Sequence, residues 1–146
     1  MINQMTKPIL IFLLFCIIFP SHAEVIPIKN ITPHSYNVSK QEVVWMYTMR
    51  KRFWDNGSRI TVFYQDLSSQ THREFCRSIL GMNPDKFDQL ILSYINTGNA
   101  AYFRLAQNSK DVKLNVEHTP GSIGYIENGT ILINERGQVN EIKISL

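Results

Sequence analysis

Cysteine is nearly absent from this 146-residue sequence, which contains only Cys16 and Cys76. Cys16 lies in an apolar block at the start, so Cys76 is the single thiol beyond residue 23, and an internal disulfide there is excluded. A lone thiol can pair between chains or react. Flanked by Phe75 and Ile79 at helical spacing, Cys76 reads instead as buried and inert. A charge excess is also lacking: 15 Lys and Arg stand against 12 Asp and Glu, a net of +3. That balance is too mild to argue for a nucleic acid or a membrane surface as partner. Arg50, Lys51 and Arg52 form the one dense basic run, read here as the solvated end of a helix that complements its dipole.

Long hydrophobic runs are missing too. The apolar block from Ile9 to Phe19 is short for about 30 Å of hydrocarbon. Lys7 precedes it and Ser21-His22-Ala23 follows, the pattern of a secretory signal cleaved after Ala23. The expectation is an exported, periplasmic protein with a signal peptide over 1–23 and one domain over 24–146; a retained N-terminal anchor is the alternative. Internal repeats and low-complexity segments are absent.

Catalytic signatures are equally scarce. Asp66, Ser69 and His72 sit close in sequence, but triad members are normally assembled from distant segments, and no G-x-S-x-G elbow is present. His34, His72 and His118 lack the paired spacing of metal ligands, and each reads as a surface or capping residue. The sequence therefore predicts no enzyme, no metal site and no cofactor.

What is present is an alternation of strand and helix signals. "EVIPI" at residues 24–28 suits an edge strand because of Pro27. Ser39 and Glu42 form a capping box opening a helix with Val43, Met46 and Tyr47 on one face and Arg50 and Lys51 in its last turn. Asp55–Ser58 is a turn, and "RITVFYQ" an unbroken strand buried on both faces. "THREFCRSILG" is a helix ending at Gly81. "NPDKFDQLILSYINTG" is a second, capped by Asn83, with Pro84 in its first turn and an end at Gly98. Residues 99–108 read as loose, 109–119 as a short helix with Val112 and Val116 on one side. The remainder is β-rich: a strand at Ile123–Ile126, a hairpin turn at Asn128-Gly129, its partner at Ile131–Ile133, and a last strand holding Val139, Ile142 and Ile144. The predicted class is α/β, a mixed sheet flanked by helices. Four sequons, at Asn30, Asn37, Asn56 and Asn128, are read as turn chemistry.

The stretch "QDLSSQTHREF" poses the functional question. A strand, a tight loop and a helix start is a geometry that holds an oxyanion, because first-turn N–H groups are unpaired and the dipole is positive there. Ser68, Ser69 and Thr71 could add hydroxyl donors. On the residues alone the alternative is simpler: Ser68 or Ser69 caps the helix, and Thr71 with Glu74 makes a second capping box.

Taken together, "RFWDNGSRITVFYQDLSSQTHREFCRSILG" and "TPGSIGYIENG" resemble the phosphate-binding periplasmic proteins of ABC transporters. The likeness is nearer to short, single-domain exported relatives described as phosphate-transporter substrate-binding-like. Trp54, Asn56-Gly57, Phe75, Pro120-Gly121 and Ile123-Gly124-Tyr125-Ile126 occupy the places of the family pattern, from about Glu24 to Ile133. The resemblance implies one lobe of a type 2 periplasmic-binding fold, with the oxyanion loop at Ser68, Ser69, Gln70 and Thr71. It places Ser69 and Thr71 on the family's binding Ser and Thr, Gln70 on its Gly, and Gln65 on its phosphate-binding Arg. Met49 falls where a Gly ends the preceding helix. Losing the guanidinium removes a bidentate, charged phosphate partner. The implied function is weak binding of a small, phosphate-like oxyanion, with an envelope or transporter protein as partner and a homodimer as one way to rebuild a two-lobed cleft. The alternative is a ligand-free interaction module of the cell envelope.

Overall fold

A computed structural model of the chain describes residues 24–30, 37–130 and 139–141. Among them five strands form one mixed sheet in the order β3-β2-β4-β1-β5. The elements run β1 (Val25–Asn30), α1 (Lys40–Tyr47), β2 (Thr61–Gln65), α2 (Gln70–Glu74), α3 (Pro84–Tyr94), β3 (Phe103–Ala106), α4 (Ser109–His118), β4 (Ser122–Glu127) and β5 (Val139–Glu141). Strand β2 lies parallel to both β3 and β4, and β1 runs antiparallel between β4 and β5. No helix among the described residues is long and apolar enough to cross a membrane.

Local signals place most of these elements where the sequence predicts them. Ser39 and Glu42 make the capping box, and Asn83 caps α3 by accepting from the Asp85 and Lys86 N–H groups. α2 continues through a π-helical turn, Phe75–Leu80, and ends at Gly81 with φ 64°, where a side chain would be strained. α1 ends earlier than expected, at Tyr47. Arg50, Lys51 and Arg52 are therefore not in its last turn. Lys51 instead reaches Glu42 at 2.8 Å and Asp55 at 3.2 Å, tying the loop back to the helix start. Met49, with φ 58°, is the one non-glycine of the described residues in the left-handed region.

Two strand expectations change. Residues 99–108 are not all loose: Phe103–Ala106 is the edge strand β3, paired with β2 from Val62↔Phe103 to Gln65↔Ala106. β1 is not an outer strand, since β5 covers it over Ile28–Asn30; Pro27 lies just before that pairing. The hairpin partner expected at Ile131–Ile133, and Ile142 and Ile144 of the last strand, fall outside the described residues, as does His34.

The sheet is buried on both faces, as the "TVFYQ" run predicts. Val62, Tyr64, Ile123 and Tyr125 face α1, α2 and α3, whereas Phe63 and Ile126 face α4 with Val112 and Val116. The residues that carry the family resemblance are joined in this packing. Phe75 stacks on Tyr125 at a centroid distance of 3.9 Å, and Trp54 Nε1 donates to the Gly121 carbonyl at 2.8 Å. Gly124 is required by close approach: a Cβ there would lie 2.4 Å from Val112 Cγ1. Of the four sequons read as turn chemistry, Asn56 accepts from Ser58 N–H as predicted, but Asn30 is not a turn residue: it ends strand β1, buried, with its amide donating to the Val116 carbonyl.

Candidate functional site

Chain connectivity creates the site. From β2 the chain passes to α2 on one face of the sheet, and from the neighbouring β3 it passes to α4 on the other. Adjacent parallel strands whose connections leave to opposite faces open a crevice at their carboxyl ends. An open cleft of about 1080 Å³ lies there, bounded by the starts of α2 and α4 and by the end of β4.

The opening hydroxyls have separate fates. Ser68 is turned away: its hydroxyl and N–H both bond the Asp66 carboxylate, holding that group below the ordinary aspartate range. Ser69 is the N-cap of α2, its oxygen accepting from His72 N–H at 3.1 Å. Thr71 does not form a capping box with Glu74. It lies inside the first turn and donates its hydroxyl to the Glu127 carboxylate. Ser69, Gln70 and Thr71 line the cleft; Ser68 does not. Because Ser69 takes only the His72 N–H, the preceding N–H groups of the first turn lack intrahelical partners.

Gln65 also reaches the cleft wall, yet it is 2% exposed and committed internally. Past Val62↔Ile123 the ladder between β2 and β4 is replaced by side chains. Gln65 Nε2 donates to the Tyr125 carbonyl at 3.0 Å and to Ser109 Oγ at 3.2 Å, and Gln65 N–H donates to the Tyr125 hydroxyl at 2.8 Å. The Gln65 amide is thus a structural bridge joining two strands to the start of α4.

Several cleft residues were not among the sequence candidates. Asn108 caps α4 through Lys110 and Asp111 N–H, and Ser109 Oγ also accepts from Glu127 N–H. Lys110 and Lys113 supply positive charge, while Glu117 and Glu127 balance it. The cap was legible in "NSKD"; the pairing of Glu127 with Thr71, 56 positions apart, had no local signal.

Behind the cleft the structure overturns the reading of His72 as a surface or capping residue. His72 is 0% exposed, with Nδ1 at 2.6 Å from the Tyr125 hydroxyl and Nε2 at 2.7 Å from Asp88 Oδ1. Burial holds it below the ordinary histidine range, against the pull of Asp88, so it is neutral at pH 7. His118 is exposed and bonds the Leu114 carbonyl. Cys76 is buried, as expected, and burial pushes its thiol up to about 12.

No family model and no curated protein matches the sequence. Solved structures do match in fold. An ABC-type phosphate transport receptor from Vibrio cholerae superposes with TM-score 0.60 at 16% identity, over 84% of this chain and 46% of that one. A putative phosphate ABC transporter substrate-binding protein from Clostridium perfringens, with bound phosphate, gives 0.61 at 17%, over 84% and 45%. A phosphate-binding protein from Stenotrophomonas maltophilia gives 0.60 at 16%, over 84% and 39%. The fold is that of a periplasmic binding protein. The chain spans less than half the length of each of these receptors.

Proposed function

We propose that this chain is an exported, non-enzymatic solute-binding-like domain that takes a small, phosphate-like oxyanion weakly in the cleft, with Ser69, Gln70 and Thr71 at the first turn of α2 as its binding edge. One observation carries the reading: the cleft sits at the carboxyl ends of the parallel strands, with the positive ends of α2 and α4 both opening onto it. The matched receptors, two of them described as binding phosphate or holding it, give the same ligand class. Binding is weak because the expected guanidinium is a Gln65 amide already spent on Tyr125 and Ser109, and because Glu127 repels an anion from beside Thr71. Ser68 contributes at most indirectly, by fixing the loop through Asp66.

Glu127 also favours a second reading. Its carboxylate already occupies the Thr71 hydroxyl, an internal stand-in for an anion, which suits a ligand-free interaction module whose cleft face meets an envelope or transporter protein, or a second copy of the chain. Calorimetry of the protein against phosphate and sulfate separates the two. Binding that vanishes in the Ser69→Ala, Thr71→Ala double variant supports the oxyanion site. A folded sample that gives no heat with any anion refutes it and leaves the interaction module. Gel-filtration mass tests the homodimer, and the N-terminal sequence of the exported protein tests cleavage after Ala23.

A further inference from the structure

Directly beneath the cleft, three side chains of metal-ligating type converge from two helices. His72 and Cys76 stand four positions apart across the α-to-π transition of the second helix, and Asp88 comes from the first turns of α3. Their Nε2, Sγ and carboxylate oxygen all lie within 4.8 Å of one another, the only such cluster among the described residues. The His72 Nε2 to Cys76 Sγ distance is 3.5 Å. Zinc–nitrogen and zinc–sulfur bonds of about 2.0 and 2.3 Å at a tetrahedral angle put those atoms about 3.5 Å apart. Nε2 and Asp88 Oδ1, at 2.7 Å, need to part to about 3.3 Å, a small rotation for the partly exposed Asp88.

We propose that His72, Cys76 and Asp88 form a binding site for a thiophilic divalent ion of the zinc class, a fourth position being left to water on the Asp88 side. Charge supports it. A thiolate, a carboxylate and a neutral imidazole sum to two negative charges, so a divalent ion makes the buried set neutral, whereas a thiolate alone would be buried unpaired. Ligand softness supports it as well, since one thiolate and one imidazole select zinc-like ions over magnesium or calcium. The second shell is in place. In the ion-bound state the His72 ring stays neutral: Nε2 turns its lone pair to the ion and the single ring proton sits on Nδ1, donating to the Tyr125 oxygen 2.6 Å away, which fixes the ring. The Cys76 thiol proton leaves to solvent as the metal–sulfur bond forms, so the step releases one proton and needs no oxidant or reductant. The site is distinct from the cleft and does not rest on oxyanion binding. It staples α3 to the helix that begins at Gln70.

The test uses Co²⁺ as a spectroscopic probe and Zn²⁺ as competitor on the full chain. The expected result is one Co²⁺ per chain with a thiolate charge-transfer absorption, bleached by Zn²⁺, and a rise in Tm with Zn²⁺. Cys16→Ser keeps the band and Cys76→Ser abolishes it. Asp88→Asn, at the rim and able to retain a hydrogen bond to His72, folds and weakens Co²⁺ binding by about tenfold or more. The proposal is overturned by a folded wild type that gives no thiolate band, or by a band lost on Cys16→Ser and kept on Cys76→Ser. An Asp88→Asn affinity equal to wild type removes Asp88 from the ligand set and overturns the three-residue site.

Discussion

Replacing Gly124 by alanine sets two effects of opposite sign against each other. A glycine in a strand interior costs roughly 0.5–1 kcal/mol relative to alanine through backbone entropy, so an unconstrained Gly→Ala change would stabilise. At Gly124 the new Cβ would lie 2.4 Å from Val112 Cγ1 and 3.1 Å from Val116 Cγ2, well inside van der Waals contact. Both valines are 0% exposed and belong to the cluster that seats α4 on the sheet, and a β-branched side chain has little rotameric freedom in a helix. α4 must shift outward, and overpacking of this kind costs about 1–3 kcal/mol. The clash therefore wins. Urea unfolding of Gly124→Ala should show a lowered midpoint with an unchanged slope. Val112→Ala alone removes two buried methyls and should also destabilise, yet in the Gly124→Ala background it relieves the clash. The double variant should then be more stable than the sum of the singles by about 1 kcal/mol or more. A Gly124→Ala protein as stable as wild type, or additive singles, would show that close approach is not what fixes glycine there.

Met49→Gly should change stability by less than about 1 kcal/mol, because relief of the strain at φ 58° is offset by loss of a half-buried side chain packed on the core; a large shift of Tm in either direction would count against this. Tyr125→Phe leaves the buried Gln65 N–H and His72 Nδ1 without their shared hydroxyl, and should cost about 1–3 kcal/mol in the same denaturant assay. Stability should also fall at acid pH through Glu42. Partial burial pushes its carboxyl up, but hydrogen bonds from Lys51 and Ser39 outweigh this and hold it below the ordinary 4.5. The unfolded chain thus takes the proton first as pH falls, so the contribution is complete above pH 4.5 and is lost as pH drops through the folded value. Glu42→Gln, which keeps a capping side chain but not the charge pair with Lys51, should flatten that part of the stability–pH profile.

How much the sequence determined follows the range of each interaction. Caps at Ser39 and Asn83, the Gly81 terminus and the double burial of β2 were legible because each depends on a few neighbouring residues. The class of fold was legible through "PGSIGYI" and its order relative to "WDNG", and packing explains why: Trp54 bonds Gly121, and Phe75 stacks on Tyr125. Strand β3 was missed because Arg104 and Leu105 are exposed and the four residues show no alternation; pairing with β2, not intrinsic pattern, makes Phe103–Ala106 a strand. Tertiary structure alone decided the site. It set Thr71 against Glu127, spent Gln65 on Tyr125 and buried His72 between Tyr125 and Asp88. Only the turn of Ser68 onto Asp66 is local; these partners lie 16 to 60 positions apart, and a side chain's partner at that distance is chosen by how the layers close, which no local pattern encodes.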